Sequence, residues 1–273
     1  MRRGITYLLV FVALLTSCGK ENTEQVAEPV QSSPPLLRPV PTQVNEQIKG
    51  YYAAFPEIYN TTSEPLPAMI FIHGAGQFGN GKNDLPMLLQ EGITQQLDEK
   101  KIPASFTVNG YNYSLLYFSP QFSSEFSIPA LHEFIQFIKS TYRIDTSRIY
   151  IAGISRGAEL ACEYATAHPQ LVSAVISMAG GLAEETRDAS ATTLALNNVP
   201  IWAIHNTADE LIPSSNSEML IQLIHQYNPE ASALLTLLSP QGPLNHDCWT
   251  RATAPQFKVN NLNIYEWALQ FRK

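Results

Sequence analysis

The sequence predicts an α/β domain built on a mostly parallel central sheet with helices on both faces. Two observations carry this. Apolar, strand-like runs alternate with helical patterns from residue 48 onward, and strands joined through amphipathic helices imply crossover connections. The roughly 225 residues involved suit one domain with a single sizeable core.

Taken in order, Ile48–Tyr59 is expected to add antiparallel edge strands. Leu66–His73 and Tyr113–Ser119 are strand candidates, followed by a helix marked by Leu131, Phe134, Ile135 and Ile138 at i, i+3, i+4 and i+7. Arg148–Gly153 reads as a strand, with an Ala-rich helix after it from Ala158 to Ala167. Val172–Ala179 and Val199–His205 are further strands. Met219, Leu220, Leu223, Ile224 and Tyr227 repeat the helical spacing before a last strand, Ala233–Leu238. No internal repeat is visible.

The N-terminus reads as an address. Arg2 and Arg3 precede an apolar run, Ile5–Leu15, too short to span a bilayer but suited to a signal segment. It ends in Leu15-Thr16-Ser17-Cys18, which resembles a bacterial lipobox. That resemblance implies removal of residues 1–17, lipidation of Cys18, and a membrane-anchored lipoprotein of the bacterial cell envelope facing the periplasm or exterior. Residues 18–46 carry Pro29, Pro34, Pro35, Pro39 and Pro41 among Glu, Gln and Ser, and read as a tether reaching on the order of 80 Å. Residues 47–273 form the main domain.

Cleavage would remove two arginines and no acid, moving the formal charge from −7 to −9. An acidic chain with no basic cluster argues against nucleic acid as a partner. No Cys or His spacing suggests a metal, and no cofactor is expected. Beyond Cys18, two cysteines remain. An oxidising compartment would permit a Cys162–Cys248 disulfide, but spacing alone does not bring them together. Nothing in the sequence sets an oligomeric state.

The most informative segment is Gly153-Ile154-Ser155-Arg156-Gly157, lying between a strand and a helix. A sharp strand–turn–helix corner strains the serine's backbone and needs near-absent side chains beside it. The hydroxyl then stands at a helix N-terminus, which favours developing negative charge. A serine nucleophile requires a base, an acid to orient the base, and oxyanion donors. Asp209, in the loop after Val199–His205, is the candidate acid, with Glu210 second. His246, in the loop after the last strand, is the candidate base. The backbone N–H groups of Ala75 and Arg156 are the candidate oxyanion donors, with Gly76 as the alternate to Ala75. Of the other histidines, His73 is expected to brace the Gly74-Ala75-Gly76 loop and His205 to pack in the core. His132, His168 and His225 are expected to be solvated.

Together, His73–Gly76, Gly153–Gly157, Trp202–Asp209 and His246–Arg251 resemble the α/β-hydrolase superfamily. The likeness covers residues 48–273 and runs to the esterase branch similar to poly(3-hydroxybutyrate) depolymerases, feruloyl and acetylxylan esterases and dienelactone-hydrolase-like proteins. It implies an α/β-hydrolase fold and a serine hydrolase cleaving small-molecule or oligosaccharide-linked carboxylic esters. A serine peptidase, or a catalytically dead binding protein on the same scaffold, are the rival readings. Arg156 departs from the uncharged residue usual after the serine. The stretch Gly180–Asn198 is too short for a large apolar lid, so short-chain or aromatic acyl esters are expected over long-chain triglycerides.

Overall fold

The computed structural model describes residues 33–273; the signal segment, Cys18 and the first part of the tether lie outside them. The described residues contain β1 (Leu36–Val40), β2 (Ile48–Phe55), β3 (Leu66–Ile72), α1 (Gly92–Asp98), β4 (Phe106–Val108), β5 (Tyr111–Tyr113) and β6 (Leu116–Phe122). They continue with α2 (Ile128–Thr141), β7 (Ile144–Ile154), α3 (Arg156–Ala167), β8 (Ala174–Met178), α4 (Glu184–Leu196) and β9 (Ile201–Asn206). The last elements are α5 (Ser215–Tyr227), β10 (Ala233–Leu238), α6 (Trp249–Ala252) and α7 (Ile264–Ala268).

The main sheet has eight strands in the order β1-β2-β6-β3-β7-β8-β9-β10. Strands β6 through β10 pair in parallel, and β1 and β2 run antiparallel at one edge. Alternate residues of each strand feed opposite cores, which is why the central strands read as apolar throughout. β3 sends Ala68, Ile70 and Ile72 to one side and Met69 and Phe71 to the other. The first side meets Leu131 and Phe134 of α2, Leu160 of α3, Leu194 of α4 and Leu220 of α5. The second meets Leu97 of α1, Trp249 of α6 and Tyr265 of α7. Truncating a ring as enclosed as Phe134 to alanine costs about 3–5 kcal/mol in such a core.

Four features differ from the sequence-based expectation; one is β7, which starts at Ile144, four residues before the expected Arg148. Residues 36–40, read as tether, form β1, paired from Leu36↔Phe55 to Val40↔Tyr51. Leu37 packs against Tyr52, Leu85 and Leu88, and Pro39 is tolerated because an edge strand can spare an N–H. β6 begins three residues later than expected, because Tyr113 belongs to a separate hairpin, β4–β5. That hairpin turns on Asn109 (φ 51°) and Gly110 (φ 81°), the left-handed pair a two-residue loop favours. The histidines expected in solvent are half-buried. His132 Nδ1 lies 3.0 Å from the Tyr164 hydroxyl, its ring stacks on His168 at 4.4 Å, and His225 Nε2 donates to Ala233 O at 2.9 Å.

Cys162 and Cys248 are free thiols, one in each core, on opposite faces of the sheet. Strand backbone separates them, so no disulfide joins them. Burial pushes the Cys162 thiol up to about 12.

Candidate active site

Every candidate functional residue from the sequence, other than Cys18, sits at the carboxyl end of a parallel strand, where open α/β sheets place their ligands. β7 delivers Ser155 on a corner with φ 52° and ψ −127°, a strained conformation for a residue with a β-carbon. Close packing enforces it. A β-carbon at Gly153 would collide with the Gly157 carbonyl, and one at Gly157 with the carbonyls of Ile72 and His73. The Ser155 N–H donates to Met178 O at 2.9 Å, tying the corner to β8.

Arg156 opens α3, so its N–H has no acceptor within the helix. Its guanidinium pairs with Glu159 one turn on and is 56% exposed, so the charge lies along the outer face of α3. The loop after β3 comes close to the serine: a β-carbon at Gly74 would stand 3.6 Å from Ser155 Cβ. Ala75 opens a 3-10 turn through Gln77, which leaves its N–H and that of Gly76 without an acceptor in the turn. His73 braces this loop. Its Nδ1–H donates to Gly74 O at 2.6 Å while Nε2 accepts from Phe122 N–H at 3.0 Å. Burial lowers its pKa to about 4, so the ring is neutral and its tautomer fixed.

Asp209 follows β9 and is enclosed. Its Oδ1 accepts from the N–H groups of Leu211 (2.9 Å) and Ile212 (3.0 Å). Its Oδ2 accepts from His246 Nδ1 at 2.7 Å, and His246 Nε2 lies 2.9 Å from Ser155 Oγ. Because a carboxylate can only accept, the Nδ1–H tautomer of His246 is fixed and Nε2 is left to accept a hydrogen bond from the Ser155 hydroxyl. The His246 ring also stands edge-on to Trp249, with centroids 5.1 Å apart. Glu210 turns away: its carboxylate accepts from Asn245 Nδ2 at 3.2 Å, steadying the histidine loop from outside.

Three side chains at the site escaped the sequence reading. Gln121, fully buried at the end of β6, donates to Gln77 O (3.1 Å) and Asp84 O (2.8 Å) and accepts from Gly81 N–H (2.9 Å). It clamps the segment that follows the Gly74-Ala75-Gly76 loop. A polar residue inside an apolar strand was the available signal. Glu91 faces Gln77, Asp247 and His246, and its pKa is raised, chiefly by burial. His205, expected only to pack, also contacts Asp209 Oδ2 at 3.2 Å. Among the described residues, no three His, Cys, Asp or Glu side chains cluster as a metal site.

The sheet order, the strained serine corner and the loops at the strand ends define an α/β-hydrolase. The phospholipase/carboxylesterase model of that fold matches residues 53–237, so the chain belongs to this family. The match includes Ser155 and Asp209 and ends before His246. No curated protein sequence matches the chain. A thermostable esterase superposes with a TM-score of 0.61 at 20% identity, covering 82% of this chain and 59% of its own. An acylaminoacyl peptidase of Pyrococcus horikoshii gives 0.51 at 15% identity, covering 80% of this chain and 38% of its own. A ferulic acid esterase gives 0.52 at 14% identity over 79% of this chain and 93% of its own. This chain thus spans about three fifths of the first protein's length and two fifths of the second's.

Proposed function

We propose that this protein is a serine hydrolase of carboxylic esters in which Ser155 is the nucleophile, His246 the base and Asp209 the residue that orients it. The observation that carries this reading is the unbroken hydrogen-bond chain from Ser155 Oγ through His246 to Asp209. His246 Nε2 takes the serine proton as Oγ attacks the ester carbonyl, and Asp209 stabilises the imidazolium that forms. The carbonyl electrons move onto oxygen, which accepts from the N–H groups of Ala75 and Arg156. One such donor contributes roughly 3–4 kcal/mol. The imidazolium then protonates the departing alkoxide, and water repeats the sequence to release the acid.

Short-chain or aromatic acyl groups are the proposed substrates, on small molecules or oligosaccharides. The stretch 180–198 is occupied mainly by α4, whose Ala191, Leu194 and Ala195 are buried in the core beside α5. A mobile oily lid needs a spare apolar face. For the cellular setting, the Leu15–Cys18 sequence supports a lipid-anchored envelope protein, and no helix among the described residues is long and apolar enough to cross a membrane.

A labelled fluorophosphonate should react with the wild-type protein and not with Ser155→Ala. Acetyl, butyryl, octanoyl, palmitoyl and feruloyl esters should then show kcat/KM highest at the short or aromatic end. Residual turnover by Ser155→Ala above about a tenth of wild type would remove the nucleophile assignment. A maximum at palmitoyl, rising above the substrate's solubility limit, would favour a lipase.

A further inference from the structure

We infer that His205 is a positioning residue for the triad: it holds Asp209 Oδ2, the same oxygen that takes the His246 Nδ1–H, and so fixes the carboxylate that orients His246. This rests on the reading of Ser155, His246 and Asp209 given above.

His205 stands on β9, fully buried. Its Nε2 lies 2.9 Å from Ile212 O and 3.2 Å from Asp209 Oδ2. Both are acceptors, so Nε2 must carry a proton. Its Nδ1 lies 2.8 Å from Ser217 Oγ on α5. Burial, the largest influence, lowers the pKa of the ring, opposed by Ile212 O and Asp209. In the neutral ring Nδ1 therefore accepts from the Ser217 hydroxyl. That hydroxyl also lies 3.1 Å from Gly180 O, beyond the end of β8, and its single proton can serve only one of the two acceptors.

The result is a chain of side chains, Ser217–His205–Asp209–His246–Ser155, running from α5 to the proposed nucleophile. Oδ1 of Asp209 takes two backbone N–H groups, and Oδ2 takes the His246 Nδ1–H together with a share of the single His205 Nε2–H, which also reaches the nearer Ile212 O. A histidine that merely filled space would not need this orientation, and an apolar replacement would leave Oδ2 with one donor in a buried site. Other charged groups around the histidine loop are Glu91, which interacts with His246, Asp247, its neighbour in sequence, and Glu210, bonded to Asn245. They remain in place when His205 is changed.

The expected direction follows from the charge on Asp209. Removing the His205 donor leaves the carboxylate less stabilised, which strengthens its attraction for the imidazolium form of His246. The serine proton can only move to neutral His246, so activity appears at higher pH. His205→Asn keeps a polar group on the Ser217 side but cannot reach Asp209. His205→Gln restores a donor near the position of Nε2.

The rate of fluorophosphonate labelling, measured on the full-length protein across about pH 4 to 9, reads this without a known substrate. His205→Asn should move the acid-side midpoint up by roughly 0.5–1 pH unit, and His205→Gln should return it towards wild type. Equal midpoints in wild type and His205→Asn, with both folded, would overturn the role of His205. In wild type, ¹⁵N NMR of labelled histidine should find His205 protonated on Nε2; an Nδ1–H tautomer would overturn it even if no variant folds. Failure of the triad reading looks different: wild-type protein would not label, or Ser155→Ala would label equally well.

Discussion

Gly157 of α3 lies against the carbonyl of His73 so closely that a β-carbon on it would collide with both His73 O and Ile72 O. The helix that carries the serine corner thus docks on the strand that carries the Gly74-Ala75-Gly76 loop, backbone against backbone. Neither partner is the end of a flexible side chain, so neither can yield cheaply. Gly157→Ala is expected to destabilise the fold by about 3 kcal/mol, at the upper end for overpacking. At Gly76, by contrast, a β-carbon would find nothing within 4 Å, and Gly76→Ala should stay within ~0.5 kcal/mol. Urea unfolding of the two variants decides this; equal stabilities would contradict the packing argument.

Asp209 and Glu210 are neighbours in sequence with opposite placements, one enclosed against His246 and the other on the surface beside Asn245. Asp209→Asn is expected to lower kcat by several orders of magnitude by favouring the wrong tautomer of His246; the corresponding change in serine proteases costs about 10⁴-fold. Glu210→Gln should cost little, since an amide oxygen can still accept from Asn245. The reverse result in a steady-state assay would reassign the acid.

His73 makes stability depend on pH. Its pKa is held at about 4 in the folded protein, below the ordinary histidine value, so the unfolded chain binds a proton that the folded one refuses. Its contribution is complete above the unfolded value, about 6.5, and is lost as pH falls towards 4. The full loss is roughly 3 kcal/mol. Thermal unfolding followed across this window should show wild-type Tm rising with pH, and His73→Gln should flatten the rise. An unchanged slope in the variant would mean that other groups carry the dependence.

Cys18→Ala should release the protein from the membrane fraction and abolish labelling by a palmitate analogue, because the lipobox-like sequence offers only that thiol. Persistent lipid labelling in the variant would sink the anchor proposal.

Much of this fold is written locally. The strands of the parallel sheet are legible because burial on both faces demands apolar residues at every position, and the serine corner because only glycine tolerates the backbone contacts at residues 153 and 157. β1 is not legible. A strand of five residues with a proline in its fourth position, beside a proline-rich stretch, has the composition of a linker, and only Leu37 seated against Tyr52 and Leu85 turns it into an edge. The Asn109-Gly110 hairpin is legible in principle, but Tyr113 merges with the apolar run that follows.

For the site, the sequence by itself determined which residue types could supply nucleophile, acid and base, and in what chain order, because each had to follow a recognisable strand. It left open whether Asp209 or Glu210 turned inward, where the Arg156 charge went, and whether Cys162 could meet Cys248. Those were decided by tertiary structure alone. Side-chain direction in a loop depends on backbone dihedrals and on donors brought from distant segments: the Leu211 and Ile212 amides, Asn245 and His246 together sort the two acids. The sheet's two faces keep the cysteines apart. The contact between His205 and Asp209 belongs to the same class, since a strand residue and a loop residue four positions on meet only because the chain doubles back beneath α5.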